Sequence, residues 1–397
     1  MAVSEPIVPP DPSDVASFRS EWSALVECAS PSRDRRRLEV LLRSLDWIRL
    51  LLLAEEHGVN GHLAAGLRDL DSDLVPPEIR QTLTDRRRAQ NFFTLRLTAE
   101  LFVILERFKS EGIGALVVKG PVLAIEAYGD PAMRSYGDLD LLVPQRDIRR
   151  ATESMITMGF TPAVSISTID AGKIPGQYLF SKPQTKLIVE LHNDLTLRYF
   201  PRRLPLDELF ARQIRVCLDA REVSALSVED ELVLICVHGA KHLWERLMWV
   251  ADVAALITRQ AGIDWELVRK SAKTVGAERM LNTGLLLASD LLKAQLPENI
   301  QAAVHRDTRA ARLAPQISKW LPAAGHSPPG LFERAAFRLR MRGSLLSAPS
   351  YLLRLSFSPT EEDWMVGAGA EVHGRGFLDA VRRPFRLARK YGRRGKS

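Results

Sequence analysis

The spacing of apolar residues changes twice along the chain. From residue 17 to about residue 110 they recur every three or four positions, which predicts helices, the last beginning at Pro76-Pro77 and ending at Gly112. Short apolar or alternating runs typical of β-strands follow at residues 115–118, 139–143, 178–180 and 186–192. Helical spacing returns after residue 226, with helices predicted at residues 265–274, 277–292 and 300–313.

These changes predict an α+β protein in which a small mixed β-sheet lies between two helical regions. A proline-rich start and the run Ser327-Pro328-Pro329-Gly330 mark two further boundaries. The expected regions are a disordered N-terminus at 1–16, a helical region at 17–110, an α/β core at 111–225, a helical domain at 226–326, a linker at 327–330 and a tail with short helices at 331–397.

Two aspartates stand out on the second predicted strand. Residues two apart on a strand point to the same face, so Asp138 and Asp140 share one face while the leucines beside them point the other way. Glu190 and His192 share a face of a later strand in the same manner. Carboxylates that converge repel each other unless a cation lies between them, and divalent ions held in this way orient and neutralise phosphates. The pattern favours metal-assisted phosphoryl or nucleotidyl transfer.

Each of these residues also has a structural interpretation. An Asp-x-Asp pair is common in surface turns, and a lone glutamate on a strand is usually exposed. The combination of Asp138, Asp140 and Glu190 favours the metal site over those alternatives. His192 is equally consistent with a structural histidine, a substrate contact or a proton relay.

The turn at Lys119-Gly120-Pro121 joins the first predicted strand to a helix. A strand, a glycine turn and the start of a helix form an arrangement that commonly binds phosphate. Proline has no backbone N–H to donate, so phosphate binding here is expected to depend on Lys119 and Arg134. The alternative for Arg134 is a salt bridge to Asp130.

These motifs together resemble a known family. The similar segments are Lys119-Gly120-Pro121, Tyr128-Gly129-Asp130-Pro131 with Arg134, residues 137–143, Met158-Gly159-Phe160 and Val189-Glu190-Leu191-His192. They resemble the polymerase-β-type nucleotidyltransferase superfamily and, more narrowly, its bacterial branch of uncharacterised nucleotidyltransferases. The resemblance covers about residues 45–392.

The resemblance implies transfer of a nucleoside monophosphate with release of pyrophosphate, and we expect ATP as the nucleotide. It implies that Gly120 holds the nucleotide phosphates, that Asp138 and Asp140 bind two Mg²⁺ or Mn²⁺ ions, and that Glu190 completes the metal site and helps to activate the acceptor. The acceptor is left open among a protein, a peptide, a small molecule or sugar, and an RNA 3′ end.

Ser227 is expected to cap a long helix that runs through residue 242. Continued as one helix, this segment places Glu245 and Asp252 on the same side as Lys241. Lys241 then has two interpretations. It reaches the nucleotide phosphates, as the resemblance implies, or it forms a salt bridge with Asp252 or Glu245.

His238 and His242 stand four residues apart, a spacing that can bind zinc on one helix face. Zinc is not favoured, because no third ligand is evident nearby. Trp244 and Trp249 are interpreted as core or adenine-pocket packing.

The positive charge is concentrated at the end of the chain. The net charge is +7, with 55 lysines and arginines against 48 acidic residues. Residues 331–397 hold 14 basic and 6 acidic residues, so the first 330 residues are close to neutral, with 41 against 42. The basic tail is expected to contact an anionic partner such as RNA, acidic lipid or an acidic protein, or to pack on the body with its arginines in water.

No signal peptide is expected, because residues 1–14 show no basic start followed by an apolar run. No transmembrane segment is expected, because the most apolar run, at residues 47–54, is far too short to span a bilayer. The three cysteines are far apart and show no metal-site spacing, so a cytoplasmic protein is predicted. The alternative function is a protein with the same core but little or no activity, which binds RNA or another anion through the basic tail.

Overall fold

The computed structural model describes residues 19–68, 70–170, 176–193, 202, 204–323 and 331–341. The predictions for residues 1–16, for the linker at 327–330 and for the tail beyond residue 341 lie outside these ranges. Within them, helices surround one seven-stranded mixed sheet, which confirms the predicted α+β fold class. Within the same ranges, no helix combines the length and the apolar character needed to cross a membrane.

In the described ranges, five α-helices precede the sheet. Asp34 and Asp46 cap the second and third by accepting backbone N–H groups of the first turn, and Pro77 begins the fifth. This 34-residue helix serves two parts of the molecule, because Ile79 packs among the other helices and Phe108 packs under the sheet. The helices are α1 (Arg19–Ala29), α2 (Arg35–Leu42), α3 (Trp47–Glu56), α4 (Asn60–Leu67) and α5 (Pro77–Ser110).

The sheet places the two carboxylate-bearing strands side by side. Its strands are β1 (Leu116–Val118), β2 (Asp138–Leu142), β3 (Thr161–Pro162), β4 (Gln177–Lys182), β5 (Leu187–His192), β6 (Ile214–Leu218) and β7 (Arg221–Ala225). The α-helices described between these strands are α6 (Gly120–Tyr128), α7 (Ile148–Thr157), α8 (Ile166–Asp170) and α9 (Leu206–Ala211). The strand order is β3-β4-β5-β2-β1-β7-β6, with β2 parallel to β5 and antiparallel to β1.

The helices after the sheet begin at a capped residue, as predicted. Ser227 accepts the backbone N–H of Asp230, which satisfies one of the free donors of the first turn. These helices are α10 (Val228–Lys241), α11 (Leu247–Arg259), α12 (Trp265–Val275), α13 (Glu278–Leu292), α14 (Glu298–Arg306), α15 (Thr308–Trp320) and α16 (Leu331–Arg340). They share one hydrophobic cluster with α1 to α4, so the helices before and after the sheet pack together.

The two faces of the central strands pack against different partners. Leu139 and Leu141 of β2 join the buried cluster that includes residues of α5 and α7. On the opposite face, Leu142 joins a smaller cluster with Leu234 of α10. The face that carries the aspartates therefore points toward α10, and this arrangement forms the cleft described below.

The predicted continuous helix through residue 252 is wrong. α10 ends at Lys241 and α11 begins at Leu247, because Leu243 and Trp244 both adopt a positive φ, of 58° and 56°, which no α-helix accommodates. Both side chains are fully buried. The Trp244 ring packs so closely on α10 that a Cβ at Gly239 would lie only 2.5 Å from it. Burial of these two side chains drives the break.

The helix predicted at residues 300–313 is also two helices. Asp307 ends α14 and its carboxylate accepts the backbone N–H groups of Arg309 and Ala310, which starts α15. In the sequence, this cap is a single aspartate inside an apolar pattern that otherwise continues without interruption, so the pattern predicted one helix.

Candidate active site

A cleft of about 510 Å³ lies between the sheet and the break that joins α10 to α11. Its sheet wall consists of Lys119, Arg134, Ser135, Tyr136, Gly137, Asp138, Asp140, Gln177, Ile188, Glu190 and His192. Its helix wall consists of Leu234, Val237, His238, Lys241, His242, Arg246, Met248 and Trp249. A volume of this size is typical of sites for small molecules and cofactors.

Asp140 is the centre of the sheet wall. It lies directly beside Glu190 in the register of the two parallel strands β2 and β5. One of its oxygens, Oδ2, accepts a hydrogen bond from Lys119 Nζ at 3.0 Å, and the other, Oδ1, lies 2.7 Å from His192 Nε2. His192 Nε2 is also 3.4 Å from Glu190 Oε2, and the Gln177 amide donates to that same oxygen at 2.5 Å.

These contacts separate the protonation behaviour of the two aspartates. Burial alone raises the pKa of Asp140, but Lys119 and His192 outweigh it and hold that pKa well below the usual range. For Asp138, burial and then the charges of Asp140 and Glu190 raise the pKa to about 6. Asp140 is thus ionised at neutral pH, whereas Asp138 gains charge only near neutrality and is the carboxylate that a cation would stabilise most.

The acidic groups fit a divalent metal ion. Asp140, Glu190 and His192 each offer a ligand atom, and these atoms all lie within 4.8 Å of one another. The two carboxylates suit a hard ion such as Mg²⁺ or Mn²⁺. The metal set expected from the sequence was Asp138, Asp140 and Glu190. The structure brings His192 into contact with two of these carboxylates, while Asp138 lies on the same face of β2.

The backbone of the turn after β1 is hydrogen-bonded to α10 and does not face the cleft. Lys119 has a φ of 53° and Gly120 a φ of 43°. The backbone N–H of Lys119 donates to Glu231 of α10 at 3.0 Å, so this N–H is already used inside the protein. Gly120 is buried and does not line the cleft, whereas the Lys119 side chain does. The turn therefore presents an ammonium group to the cleft.

Arg134 lines the cleft but is tied to the helices behind it. Its Nε donates to Asp252 of α11 at 2.9 Å, and the Tyr128 hydroxyl donates to the other oxygen of Asp252, also at 2.9 Å. The alternative salt bridge from Arg134 to Asp130 is wrong, because Asp130 pairs with Arg87 at 2.8 Å. Only 5% of Arg134 is exposed, and the ion pair raises its pKa against the opposing effect of burial.

The break in the helix also changes the partners of Lys241. Asp252 is engaged by Arg134, and Glu245 pairs with Arg334 of α16 at 2.7 Å. Neither salt bridge predicted for Lys241 is therefore formed, and its side chain lines the cleft opposite the carboxylates. Burial and the nearby charge of Lys119 lower the pKa of Lys241 to about 8, while Glu190 and Asp140 act in the opposite direction.

Two residues of this site were missed by sequence reasoning. Gln177 opens β4 opposite His192, and its place on the same face as Glu190 follows from the alternation of the hairpin strands. Glu231, one turn after the cap at Ser227, had no recognisable signal because its partner is a backbone N–H 112 residues away.

Clustered carboxylates on adjacent strands of a mixed sheet, facing helices that supply cations, are the features that metal-assisted nucleotidyl transfer needs. The family comparison agrees: the chain matches the family described as uncharacterised nucleotidyltransferase over residues 43–293. This match covers more than half of the chain and includes both walls of the cleft, so the protein belongs to that family. No curated protein and no solved structure matches the chain.

Proposed function

We propose that the protein transfers AMP from ATP to an acceptor and releases pyrophosphate. The observation that carries this proposal is the convergence of Asp138, Asp140 and Glu190 on one face of the sheet, at a cleft large enough for a nucleotide. Lys241 faces them from the helix wall. A cluster of acids opposite a cation suits a ligand that carries both phosphates and bound metal ions.

In the proposed reaction, an oxygen of the acceptor attacks the α-phosphorus. A new bond forms between these two atoms, the bond from the α-phosphorus to the bridging oxygen breaks, and pyrophosphate leaves. Bound Mg²⁺ or Mn²⁺ would supply charge neutralisation on the phosphates and orientation for in-line attack. Asp138, Asp140 and Glu190 are the residues that would hold two such ions, with His192 beside them.

The residues of the cleft have separate tasks in this proposal. Lys119 and His192 fix Asp140 from both sides, so its position does not depend on the ligand. Lys119, Lys241 and Arg134 contribute positive charge toward the phosphates, and Gly120 supports the turn behind Lys119. Glu190 is positioned by Gln177 to accept the proton of an acceptor hydroxyl.

The proposal leaves the acceptor open among a protein, a peptide, a small molecule and an RNA end. We place the reaction in the cytoplasm and keep the region boundaries predicted above, with residues 111–225 as the catalytic core. The basic tail is proposed to contact an anionic partner.

A second candidate function is supported by one specific contact. Lys119 and His192 already neutralise Asp140 within the protein. The acidic cluster therefore does not require a metal ion in order to be tolerated. A protein that binds RNA or another anion and has little activity is compatible with this feature.

Pyrophosphate release from Mg·ATP, with a heat-treated cell extract as the acceptor source, tests the first candidate. The double variant Asp138→Asn, Asp140→Asn is expected to lose metal-dependent release while its circular dichroism spectrum is retained. Asp290→Asn, an exposed change on α13, is the matched control. Equal release by the double variant contradicts the proposal. RNA binding that weakens steeply with salt, together with no nucleotide binding, supports the second candidate instead.

A further inference from the structure

Three aromatic side chains stand together on the helix wall. Trp249 of α11 packs against His242 and His238, with ring centroids 5.1 Å and 5.4 Å apart. The two imidazoles are themselves 4.7 Å apart. All three are half-buried and line the cleft, in a part of α10 and α11 whose other residues are mostly buried. The cleft therefore has an aromatic part beside its charged part.

The charges nearby restrict what this aromatic part can bind. Burial, and then the charges of Lys241 and Lys119, lowers the pKa of His242 to about 3. Burial, and then Lys119, lowers the pKa of His238 well below its usual value. The imidazoles are therefore neutral at physiological pH. A cationic ligand, which an aromatic group could otherwise attract, is repelled by the same lysines and by Arg246.

A zinc ion is not favoured here either. In the described ranges, the only group of three or more metal-ligating side chains is the one at Asp140, Glu190 and His192. His238 and His242 lie outside it. A ligand that is planar and neutral at one end and anionic at the other matches the two parts of the cleft.

We propose that Trp249, His242 and His238 form the binding site for the base of a nucleotide. The phosphates of this nucleotide extend toward Lys241 and the carboxylates of the sheet wall. The inference rests on the proposed function and deepens it, because it assigns named residues of the helix wall to the base of the nucleotide. The base stacks on the exposed part of the Trp249 ring. The neutral imidazole nitrogens are available to donate to or accept from the edge of the base.

Calorimetric titration with Mg·ATP and with Mg·tripolyphosphate separates the contribution of the base to affinity from that of the phosphates. Stacking of one base on an aromatic ring corresponds to roughly 10- to 100-fold in affinity. We expect the wild-type protein to bind ATP tighter than tripolyphosphate by about this factor. Trp249→Leu is expected to remove most of the difference without changing tripolyphosphate affinity, and Trp249→Phe to keep most of it.

Trp265→Leu is the matched control, because Trp265 is also a half-buried tryptophan on the same hydrophobic cluster but does not line the cleft. If Trp249→Leu does not fold, Trp249→Phe and His242→Ala serve instead. ATP is then expected to quench tryptophan emission in the wild type and in His242→Ala but not in Trp249→Phe, and His242→Ala is expected to bind ATP more weakly than the wild type.

The outcomes separate the two proposals. Failure of the wild-type protein to bind either ligand contradicts the proposed function. If Trp249→Leu leaves the affinity for ATP unchanged, or lowers the affinities for ATP and tripolyphosphate by the same factor, only the proposed nucleobase site is overturned. A loss confined to ATP supports it.

Discussion

The two walls of the cleft differ in what determines them. On the sheet wall, the positions of Asp138, Asp140 and Glu190 follow from strand alternation and parallel register, which are local and regular. On the helix wall, the positions of Lys241 and Trp249 depend on a break between two helices. That break is set by the packing of Leu243 and Trp244 into a distant core. One wall is therefore determined by local sequence pattern, and the other by tertiary packing.

The largest expected effect comes from the sheet wall. Glu190→Gln keeps the size of the side chain but removes one of the three carboxylates. Loss of charge stabilisation of several kcal/mol corresponds to about a 10³-fold lower rate of pyrophosphate release. Nucleotide affinity should change far less, because the cations of the helix wall remain. Glu222→Gln, an exposed change on β7, is the control, and equal rates for the two variants would refute the assignment of Glu190.

The helix wall is tested through the packing that creates it. A Cβ at Gly239 would lie 2.5 Å from the Trp244 ring, whereas one at Gly262 would meet nothing within 4 Å. We expect Gly239→Ala to lower the free energy of unfolding by about 1–3 kcal/mol. It should also raise the KM for ATP while leaving Mn²⁺ binding intact.

Urea denaturation measures the stability, and Gly262→Ala supplies the baseline. If the two alanine variants are equally stable, the fit of Trp244 against α10 is not what holds the break.

A smaller effect is expected for Lys241→Met. The substitution keeps the length of the side chain and removes a cation that faces the carboxylates. The affinity for Mg·ATP should fall by about tenfold, in the range of a single charge-assisted contact. Mn²⁺ affinity measured without nucleotide should not decrease, since a nearby positive charge is lost. Lys273→Met on α12 is the control, and a variant that binds ATP as tightly as this control would exclude Lys241 from the nucleotide site.

The last expected effect is a pH dependence of stability, and it concerns Glu126 of α6, which does not line the cleft. Burial, then Glu231 and Glu229, raises the pKa of Glu126 to about 8, against 4.5 as its ordinary value. Between these values the folded state retains a proton that the unfolded state has released, so stability falls as pH rises from about 5 to 8. Glu126→Gln should flatten this slope and be relatively more stable at pH 8. Parallel stability curves for the two proteins between these pH values would show that Glu126 does not titrate as described.

Much of the fold could be predicted because it rests on local signals. Ser227 as a helix cap, the strands β4 and β5, and the shared face of Asp138 and Asp140 all follow from short-range patterns. The helix break did not, because neither Leu243 nor Trp244 is a glycine or a proline that would signal a break, and their positive φ accompanies complete burial in the helical core.

The partners of the charged residues were harder to predict for the same reason. Arg134 lies 118 residues from Asp252, and no spacing rule relates the two. Likewise, the contact of His192 with Asp140 required the register of β2 and β5, and the proposed metal ligands and nucleotide contacts remain predictions.

The most direct measurement uses ATP labelled at either the α- or the γ-phosphate, with Mg²⁺ and an acceptor mixture. We expect α-label to enter the acceptor, γ-label to leave as pyrophosphate, and chelation of Mg²⁺ to stop both. Transfer of γ-label to the acceptor, or α-label transfer that persists in the double variant Asp138→Asn, Asp140→Asn, would contradict the proposed reaction.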